Sequence, residues 1–337
     1  MTPAEIERLL GLVDAFSRQK VVTFGDMVLD EFLYGRIDRV SREAPVLILE
    51  YERTDQVPGA GGNAAANAAS LGATVFPVGL LGQDQAGRTL RTWFEEHHMS
   101  VSGLVADSSV DTPVKTRVLA GSSTSVQQQV VRIDRNRRRS TGDVPRLLQC
   151  LQEHLSGASV LLVSDYGHGT VDPEALCRVR RESCPSGLVT LVDSRRRLLR
   201  FERMTAATPN LEEAMGALGR EVPDEDAAVA AAAQELREKL QVEHLAITRG
   251  SRGMTILGPD LPPTHLPVFG TDQVADVTGA GDTVIAAFSL ALASGANTKE
   301  AATLANIAAG LAVLKRGTTT VSQASLRNSV EDLARGR

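Results

Sequence analysis

Residues 276–283 read DVTGAGDT, and a long helical pattern follows them without a break. The two glycines, Gly279 and Gly281, let backbone N–H groups turn towards a ligand with no Cβ in the way. The helix that follows directs its positive dipole end and its free N–H groups at the same place, so an anion site is expected there. Asp282 falls in the first turn of that helix, where a carboxylate is stabilised.

This combination of an anion site and a carboxylate predicts phosphoryl transfer to a hydroxyl group. The backbone amides would take up charge on the moving phosphoryl group, and Asp282 would accept the hydroxyl proton. The candidate catalytic residues are therefore Gly279, Ala280, Gly281 and Asp282. Taken alone, the motif also fits an ordinary glycine turn with an aspartate at a helix start, because short glycine motifs are common.

Around this motif, short runs rich in Val, Leu and Ile alternate with helical stretches. Runs that are apolar on both sides suit the central strands of a parallel sheet, with helices covering each face. The alternation predicts a doubly wound α/β sheet. The predicted strands lie at 21–24, 75–80, 160–164, 188–193 and 245–248, and the predicted helices at 63–71, 83–96, 223–240, 283–294 and 299–314.

Two segments, at about 32–52 and 113–134, break this rhythm and shift towards a period of two. The second contains a glycine and serine turn at 121–125 and reads as a hairpin. We expect these strands to form a small β-sheet lid, which would exclude water during a transfer reaction. Residues 1–20 predict an N-terminal amphipathic helix, and residues 21–330 the α/β domain with its lid.

Composition excludes several classes of protein. The 337 residues carry a net charge of −5 and only 4% aromatic residues, so neither a globally basic nucleic-acid binder nor a base-stacking surface is favoured. A basic run at 132–139 has no aromatic neighbours and is typical of a solvated loop. No apolar stretch is long enough for a membrane span, and three cysteines without Cys-x-x-Cys spacing suit a reducing compartment. We therefore expect a cytoplasmic protein whose partners are neither nucleic acid nor membrane.

Other nucleotide and hydrolase motifs are missing from the sequence. The first predicted strand is followed by GDMVLD at 25–30, which lacks the further glycines of a dinucleotide-binding turn. The chain has neither the Gly-x-x-x-x-Gly-Lys-[Ser/Thr] phosphate loop nor the Gly-x-Ser-x-Gly elbow of α/β hydrolases. A dehydrogenase, a P-loop enzyme and a serine hydrolase are accordingly disfavoured.

Five stretches, in order along the chain, resemble the signatures of the PfkB family of carbohydrate kinases. The octapeptide at 276–283 is similar to the second family signature and GAGGN at 59–63 to the first. The segment at 25–30 resembles the opening strand, TPNLEE at 208–213 the Asn-x-x-Glu motif, and TRGSRG at 248–253 the nucleotide-binding turn. The resemblance covers about 21–330 and implies a ribokinase-like fold and an ATP-dependent carbohydrate kinase.

Longer stretches resemble, within that family, the kinases of D-glycero-β-D-manno-heptose 7-phosphate. They are GDMVLDEFLYG at 25–35, SREAPV at 41–46 and SDY at 164–166. The implied product is the 1,7-bisphosphate, a precursor in ADP-heptose synthesis. The sequence departs from those kinases at His168, where they usually carry Lys, and at 193–195, where Asp-Ser-Arg replaces Asp-Pro-Lys.

Two alternatives to a heptose phosphate kinase stay open. One is a kinase of the same family for another sugar, sugar phosphate or nucleoside, such as ribose, fructose or a fructose phosphate. The other is a sugar-sensing regulator without chemistry, although retention of Asp282, both motif glycines and Glu213 argues against it.

The resemblance also assigns the remaining site residues. Those expected to contact the sugar are Asp30, Gly61, Asn63 and Asp165. Those expected to serve ATP are Asn210, Glu213, Thr248, Gly250, Ser251, Gly253 and Asn306, with Glu213 as the Mg²⁺ ligand. Asp276, Thr278 and Gly317 match the positions around a monovalent cation such as K⁺.

A phosphosugar also needs cationic partners for its distal phosphate. Candidates are Lys115, Arg117 and Arg132 on the lid, with Arg195 and Arg196 after a predicted strand; the alternative for each is solvated surface charge. Lids of this family often pair between subunits, which implies a homodimer through the lid.

Overall fold

The described part of the chain comprises residues 1–121, 127–136, 143–259, 261–270, 276–314 and 317–334 of a computed structural model. Most of the predicted turn at 121–125 and the end of the basic run, 137–139, lie outside these residues. The strands are β1 (Lys20–Gly25), β2 (Met27–Val40), β3 (Leu47–Ala60), β4 (Thr74–Gly82), β5 (Leu104–Asp107), β6 (Val114–Gly121), β7 (Gln128–Arg135), β8 (Val160–Asp165), β9 (Val189–Ser194), β10 (Ala206–Ala207), β11 (His244–Thr248), β12 (Met254–Gly258) and β13 (Leu261–Leu266).

Ten α-helices and three short 3₁₀ turns are found in the described part of the chain. The helices are α1 (Pro3–Asp14), α2 (Gly61–Ser70), α3 (Gln85–Glu96), α4 (Val144–Leu155), α5 (Pro173–Ser183), α6 (Leu211–Leu218), α7 (Asp226–Leu240), α8 (Ala280–Ala293), α9 (Thr298–Val313) and α10 (Gln323–Ala334). The 3₁₀ turns are Ala15–Arg18, Leu198–Arg200 and Gly250–Arg252. Helix α1 and its 3₁₀ turn bury Ile6, Leu9, Leu12, Val13 and Phe16 against the body of the protein.

The larger sheet has nine strands in the order β13-β12-β11-β10-β9-β8-β1-β4-β5. All neighbours are parallel except β12, which runs antiparallel to both β11 and β13. Every residue of β8 is buried, as expected for a strand covered on both faces. Residues of α1, α2, α3, α8, α9 and α10 share one apolar core, and residues of α4, α5, α6 and α7 share the other. The predicted doubly wound α/β sheet is therefore confirmed.

The smaller sheet has the order β3-β2-β6-β7. Strands β2 and β6 are parallel, and β3 and β7 pair with them antiparallel on the outside. Strand β2 begins buried beside the main sheet and ends exposed, whereas all eight residues of β7 are exposed. The sheet therefore projects from the α/β body over the carboxyl ends of its central strands.

Several predicted boundaries differ from those in the structure. The helix predicted at 223–240 begins only at Asp226, and Asp224 before it and Asp226 both accept from the buried Arg249 guanidinium. The helix predicted at 283–294 already begins at Ala280, so that Asp282 lies inside its first turn. The lid strands β2 and β3 extend beyond the predicted segment at both ends. Among the described residues, no helix combines the length and the apolar character that crossing a bilayer requires.

Candidate active site

The motif at 276–283 forms the turn into α8. Gly279 caps that helix in the left-handed region, with φ +79°, and a Cβ there would lie 2.6 Å from the Asn63 side-chain nitrogen. A Cβ on Gly281 would meet no protein atom within 4 Å. The first glycine is therefore required by the packing of the protein itself, and the second faces open space beside the start of the helix.

Asp282 is buried, with 4% of its surface exposed, and each of its oxygens has one side-chain donor. Asn63 Nδ2 donates to Oδ2 at 2.8 Å, and the Tyr166 hydroxyl donates to Oδ1 at 3.1 Å. Burial raises the pKa of Asp282 to about 7, although both hydrogen bonds act to lower it. Such a carboxyl group is about half ionised near neutral pH, and its ionised form is basic enough to accept a proton.

Asn63 is itself held in place by a network between α2 and α8. Asn67 Nδ2 donates to the backbone oxygen of Asn63 at 3.0 Å and to its side-chain oxygen at 3.1 Å. The Thr283 hydroxyl in turn donates to Asn67 Oδ1 at 3.1 Å. Gly61, at the start of α2, donates its N–H to the backbone oxygen of Asp26 at 3.0 Å. The predicted residues Gly61 and Asn63 are thus brought to the end of β1, and Asn63 to Asp282.

The lid contributes Asp30, Lys115 and Arg117 from one face of its sheet. Asp30 pairs in register with Lys115, and Phe32 with Arg117, so these side chains share a face. Asp30 Oδ1 accepts from Arg117 Nη1 at 2.8 Å, and Oδ2 accepts from the Thr318 hydroxyl at 2.9 Å. The Arg117 charge is therefore already neutralised within the protein.

Lys115 is in a different position, because among the described residues it makes no salt bridge. It is only 8% exposed, and its Nζ lies 4.9 Å from the centre of the Tyr166 ring. Burial lowers the pKa of Lys115, and the nearby Asp30 carboxylate opposes that shift. A buried cation without a paired acid suits an anionic ligand.

Asp165 ends β8, and both of its oxygens are engaged by the protein. Arg197 donates to them through Nε at 3.1 Å and Nη2 at 2.5 Å, and the Ser194 hydroxyl donates at 2.7 Å. The N–H of Gly167 donates to Oδ1 at 3.1 Å. The carboxylate therefore braces the ends of β8 and β9, and its assignment as a sugar ligand stays a prediction.

Asn210 and Glu213 begin α6 and cap it reciprocally. Asn210 Oδ1 accepts from the N–H of Glu213 at 2.8 Å, and Glu213 Oε2 accepts from the N–H of Asn210 at 2.9 Å. Together with Arg195 and Arg196 they line a cavity of about 820 Å³. Burial raises the pKa of Glu213, while Arg195 lowers it.

Asp193, near the end of β9, lies close to this cavity. Burial raises the pKa of Asp193 well above its ordinary value, and the charges of Glu213 and Asp282 raise it further. Electrostatic repulsion thus links Asp193 on β9 to Glu213 on α6 and to Asp282 on α8.

The remaining predicted nucleotide residues lie at the end of β11, in the turn that follows it, and on α9. Thr248 ends β11 and forms a parallel bridge with Asn210, and Gly250 and Ser251 form the 3₁₀ turn that follows. Gly253 ends that turn with φ +80°. Asn306, on α9, donates its side-chain N–H to the backbone oxygen of Pro267 at 2.7 Å. Thr248 and Asn210 are thus adjacent, and Asn306 joins α9 to the segment after β13.

The residues predicted around a monovalent cation lie together. Asp276 Oδ1 accepts from the N–H and the hydroxyl of Thr278, at 2.9 and 2.8 Å, and Oδ2 accepts from the N–H of Gly317 at 3.0 Å. Burial tends to raise the pKa of Asp276, but these hydrogen bonds outweigh it and lower the pKa. Asp276 thereby links the turn at 276–279, which leads into α8 and is the expected anion site, to Gly317.

No cluster of three or more His, Cys, Asp or Glu side chains suited to a metal ion is found within the described ranges. Mg²⁺ characteristically binds through one or two carboxylates together with substrate phosphates. The acids near the cavity therefore fit an ion that arrives with a nucleotide better than a permanently bound one.

Sequence reasoning missed two side chains that touch the site. Tyr166 follows the buried strand β8, and the carboxyl ends of parallel strands are where ligand-binding residues collect. The place of Tyr166 directly after this strand was the signal in the sequence that could have identified it. Thr318, which bonds Asp30, belongs to no motif.

The predicted phosphate partner Arg132 pairs in register with Arg117 on the lid. Its guanidinium donates to the Asp134 carboxylate at 2.9 Å through two nitrogens.

The nine-stranded sheet, the four-stranded lid and the glycine turn into α8 define a carbohydrate kinase of the ribokinase type. The family model described as pfkB family carbohydrate kinase matches residues 18–325. The chain therefore belongs to the pfkB family of carbohydrate kinases.

Individual relatives agree with this family. The bifunctional protein HldE of Caulobacter vibrioides is 38% identical over 321 residues, which are 95% of this chain and 65% of that protein. The bifunctional protein HldE of Trichlorobacter lovleyi is 37% identical over 314 residues, 92% of this chain and 62% of the relative. The chain thus spans somewhat less than two thirds of the length of these curated relatives.

Solved structures show the same fold. Phosphofructokinase-2 from Escherichia coli in complex with fructose-6-phosphate has a TM-score of 0.73 at 20% identity, covering 94% of this chain and 99% of that one. Arabidopsis thaliana ribokinase complexed with ribose and ATP has a TM-score of 0.68 at 19% identity, covering 93% and 98%. At these identities the likeness concerns the fold alone.

Proposed function

We propose that this chain transfers the γ-phosphoryl group of ATP to a sugar hydroxyl at Asp282. The observation that carries the proposal is a buried carboxylate with a pKa of about 7 in the first turn of a helix whose N-terminus faces open space. Asp282 accepts the hydroxyl proton as the sugar oxygen attacks the phosphorus. The backbone N–H groups of 279–281 take up charge on the transferring group.

The substrate that we propose is D-glycero-β-D-manno-heptose 7-phosphate, with the 1,7-bisphosphate as product. Lys115 supports a phosphosugar, because it is a buried cation without an acid partner among the described residues and stands over Tyr166, which contacts Asp282. The similarity to HldE proteins and the heptose-kinase stretches of the sequence point the same way.

Glu213 would hold Mg²⁺ together with the nucleotide phosphates. The ion would supply positive charge that offsets the phosphates during transfer. Asp276 and Thr278, with Gly317, would hold a monovalent cation such as K⁺ beside the anion-site turn; a potassium complex is known for phosphofructokinase-2 from Escherichia coli. The closed lid would keep water from the phosphoryl group.

We place this activity in the cytoplasm, where ATP is available. The cysteines Cys150, Cys177 and Cys184 are free thiols, which suits a reducing compartment. A homodimer through the lid is also part of the proposal.

The test is product analysis with purified protein, ATP and Mg²⁺ against a panel of sugars. The panel contains the heptose 7-phosphate, fructose 6-phosphate, fructose, ribose and a nucleoside, with products identified by ³¹P NMR. Phosphorylation of the heptose phosphate at the anomeric hydroxyl is expected. Preference for another panel member would show that the proposed substrate is wrong, while phosphoryl transfer to a sugar hydroxyl would still be supported. Sugar binding by calorimetry without turnover on any member would favour a sensing regulator instead.

Asp282→Asn tests the role of the base in the same assay. The substitution should lower kcat by about 10²–10⁴-fold while leaving ATP binding intact, because only the proton acceptor is lost. Asp14→Asn, on the surface of α1, is the matched control and should retain parental turnover. Turnover of Asp282→Asn within about tenfold of the parent would remove Asp282 from this role.

A further inference from the structure

Tyr166 connects three parts of the site, although the SDY stretch at 164–166 predicted no role for it. Its hydroxyl donates to Asp282 Oδ1 at 3.1 Å. Its ring is faced by Lys115 from the lid, at 4.9 Å, and by Arg195 from the end of β9, at 5.5 Å. A side chain in this position can fix the orientation of the Asp282 carboxylate and affect its ionisation.

Asp26 holds the loop that carries Tyr166. Its carboxylate is fully buried and accepts three backbone N–H groups from one loop. Oδ2 accepts from Tyr166 at 2.9 Å and His168 at 3.0 Å, and Oδ1 accepts from Thr170 at 3.1 Å. In the described part of the chain, Asp26 makes no salt bridge, so its visible role is to fix the path of residues 166–170.

We propose that Tyr166 is a positioning residue that orients the Asp282 carboxylate and weakens its hold on a proton, and that Asp26 keeps Tyr166 in place. This inference rests on the proposed function, since it assumes that Asp282 is the base. Asn63 and Tyr166 each bond one oxygen of Asp282, which fixes the plane of the carboxylate. The remaining lone pairs are then directed at a hydroxyl group rather than free to rotate.

The chemistry of the phenol supports this role. Burial raises the pKa of Tyr166 well above its ordinary value, and the charge of Asp282 raises it further, so the hydroxyl remains a donor at working pH. A donor to an ionised carboxylate stabilises the charged form and so lowers its pKa. Other charged groups that interact with Asp282 include Asp30 and Lys115 on the lid sheet and Asp193 on β9.

The experiment is the pH dependence of kcat/KM for the sugar in the parent and in Tyr166→Phe. The rate should rise with pH as Asp282 loses its proton. Without the tyrosine donor the pKa of Asp282 rises. The rising part of the pH profile of kcat/KM, its acidic limb, should therefore move to higher pH by about one unit. We also expect kcat to fall by about tenfold or more, with KM for ATP little changed. Tyr51→Phe, an exposed tyrosine on β3, is the matched control and should leave the limb in place.

Asp26→Asn provides a second measurement. The substitution preserves the size of the side chain but replaces one acceptor oxygen with an NH₂ group, which cannot accept from the backbone N–H groups of the loop. We expect the loop to be held less firmly, and the acidic limb of the pH profile to move to higher pH as in Tyr166→Phe. Because this variant is at risk of misfolding, Tyr166→Phe decides the question alone. A Tyr166→Phe enzyme with an unmoved limb would overturn the inference, whether its kcat is retained or reduced, since a merely structural role lowers kcat without moving the limb. Failure of the parent to phosphorylate any sugar would instead count against the proposed function.

Discussion

Asp282 owes its proposed chemistry to its surroundings. An aspartate in water is ionised well below neutral pH, whereas burial raises the pKa of this one to about 7. Asn63 and Tyr166 oppose that shift without cancelling it. The site therefore keeps a base that is ready to take a proton near neutral pH, and the protein must accommodate a buried charge to do so.

That charge should make the stability of the protein depend on pH. A folded-state pKa above the unfolded value means that the native state binds more protons between about pH 4 and 7, so stability falls as pH rises through that window. Asp282→Asn removes the ionisation. We therefore expect its melting temperature to exceed that of the parent at pH 8, with a smaller difference at pH 5.

Differential scanning calorimetry at both pH values measures this difference. Asp14→Asn, on an exposed surface, should track the parent at each pH. An Asp282→Asn protein that melts below the parent at pH 8, or a difference that does not change with pH, would contradict the expected cost of the buried charge.

The turn into α8 shows how one element serves both folding and chemistry. Gly279 needs its left-handed backbone and its missing Cβ because Asn63 packs against it. Gly281 has no such neighbour and lies inside the helix, where glycine is a poor choice for stability. The proposed phosphoryl position beside Gly281 would explain its use there, since a side chain would enter that space.

Alanine at each glycine should separate these two requirements. Gly279→Ala should lower the melting temperature, because a left-handed backbone costs about 1–2 kcal/mol for a residue with a Cβ and the methyl would meet Asn63. Gly281→Ala should melt at or above the parental temperature, since alanine is favoured in a helix by up to about 1 kcal/mol. Its kcat should nevertheless fall, because the methyl would enter the proposed phosphoryl position.

Thermal melts and steady-state kinetics of the two variants distinguish these effects. Full turnover by Gly281→Ala would show that the space beside Gly281 is not used in the reaction. An unchanged melting temperature for Gly279→Ala would mean that the turn can relax around the added methyl group.

At the scale of the whole molecule, the lid carries most of the large apolar side chains that are exposed in the described part of the chain. Val131 and Ile133, two residues apart on the edge strand β7, are 48% and 51% exposed, and Leu47 and Tyr51 are exposed on the other edge strand, β3. Edge strands with exposed apolar side chains tend to be covered by a partner. A second copy of the same chain would bury this surface, which supports the proposed homodimer through the lid.

Sedimentation velocity should therefore find the parent as a dimer and Ile133→Lys shifted to monomer. The lysine places a charge in the proposed interface, and its burial there would be costly. Val268→Lys, at an exposed apolar residue outside the lid, is the matched control and should stay dimeric. A monomeric parent, or an Ile133→Lys protein that remains dimeric, would remove the lid from the interface.

Five of the nine strands of the main sheet were predicted because their signals are local, whereas β5, β10, β12 and β13 were not predicted. Strands such as β1, β8 and β9 contain short apolar runs, and the turn into α8 is marked by the short motif GAGD at 279–282. Strand β10 was missed because two residues cannot show a period, and it exists only through its pairing with β9 and β11.

The sequence by itself determined the α/β class and the place of Asp282 in the first turn of a helix after a glycine turn, since both depend on neighbouring residues and on backbone geometry. Only the tertiary structure decided what surrounds that carboxylate. The Tyr166 contact joins residues 116 positions apart, and the Asp165 carboxylate, expected at the sugar, is bonded to Arg197. Burial and long-range hydrogen bonds set the charge and direction of a side chain, and they arise only when distant elements pack together.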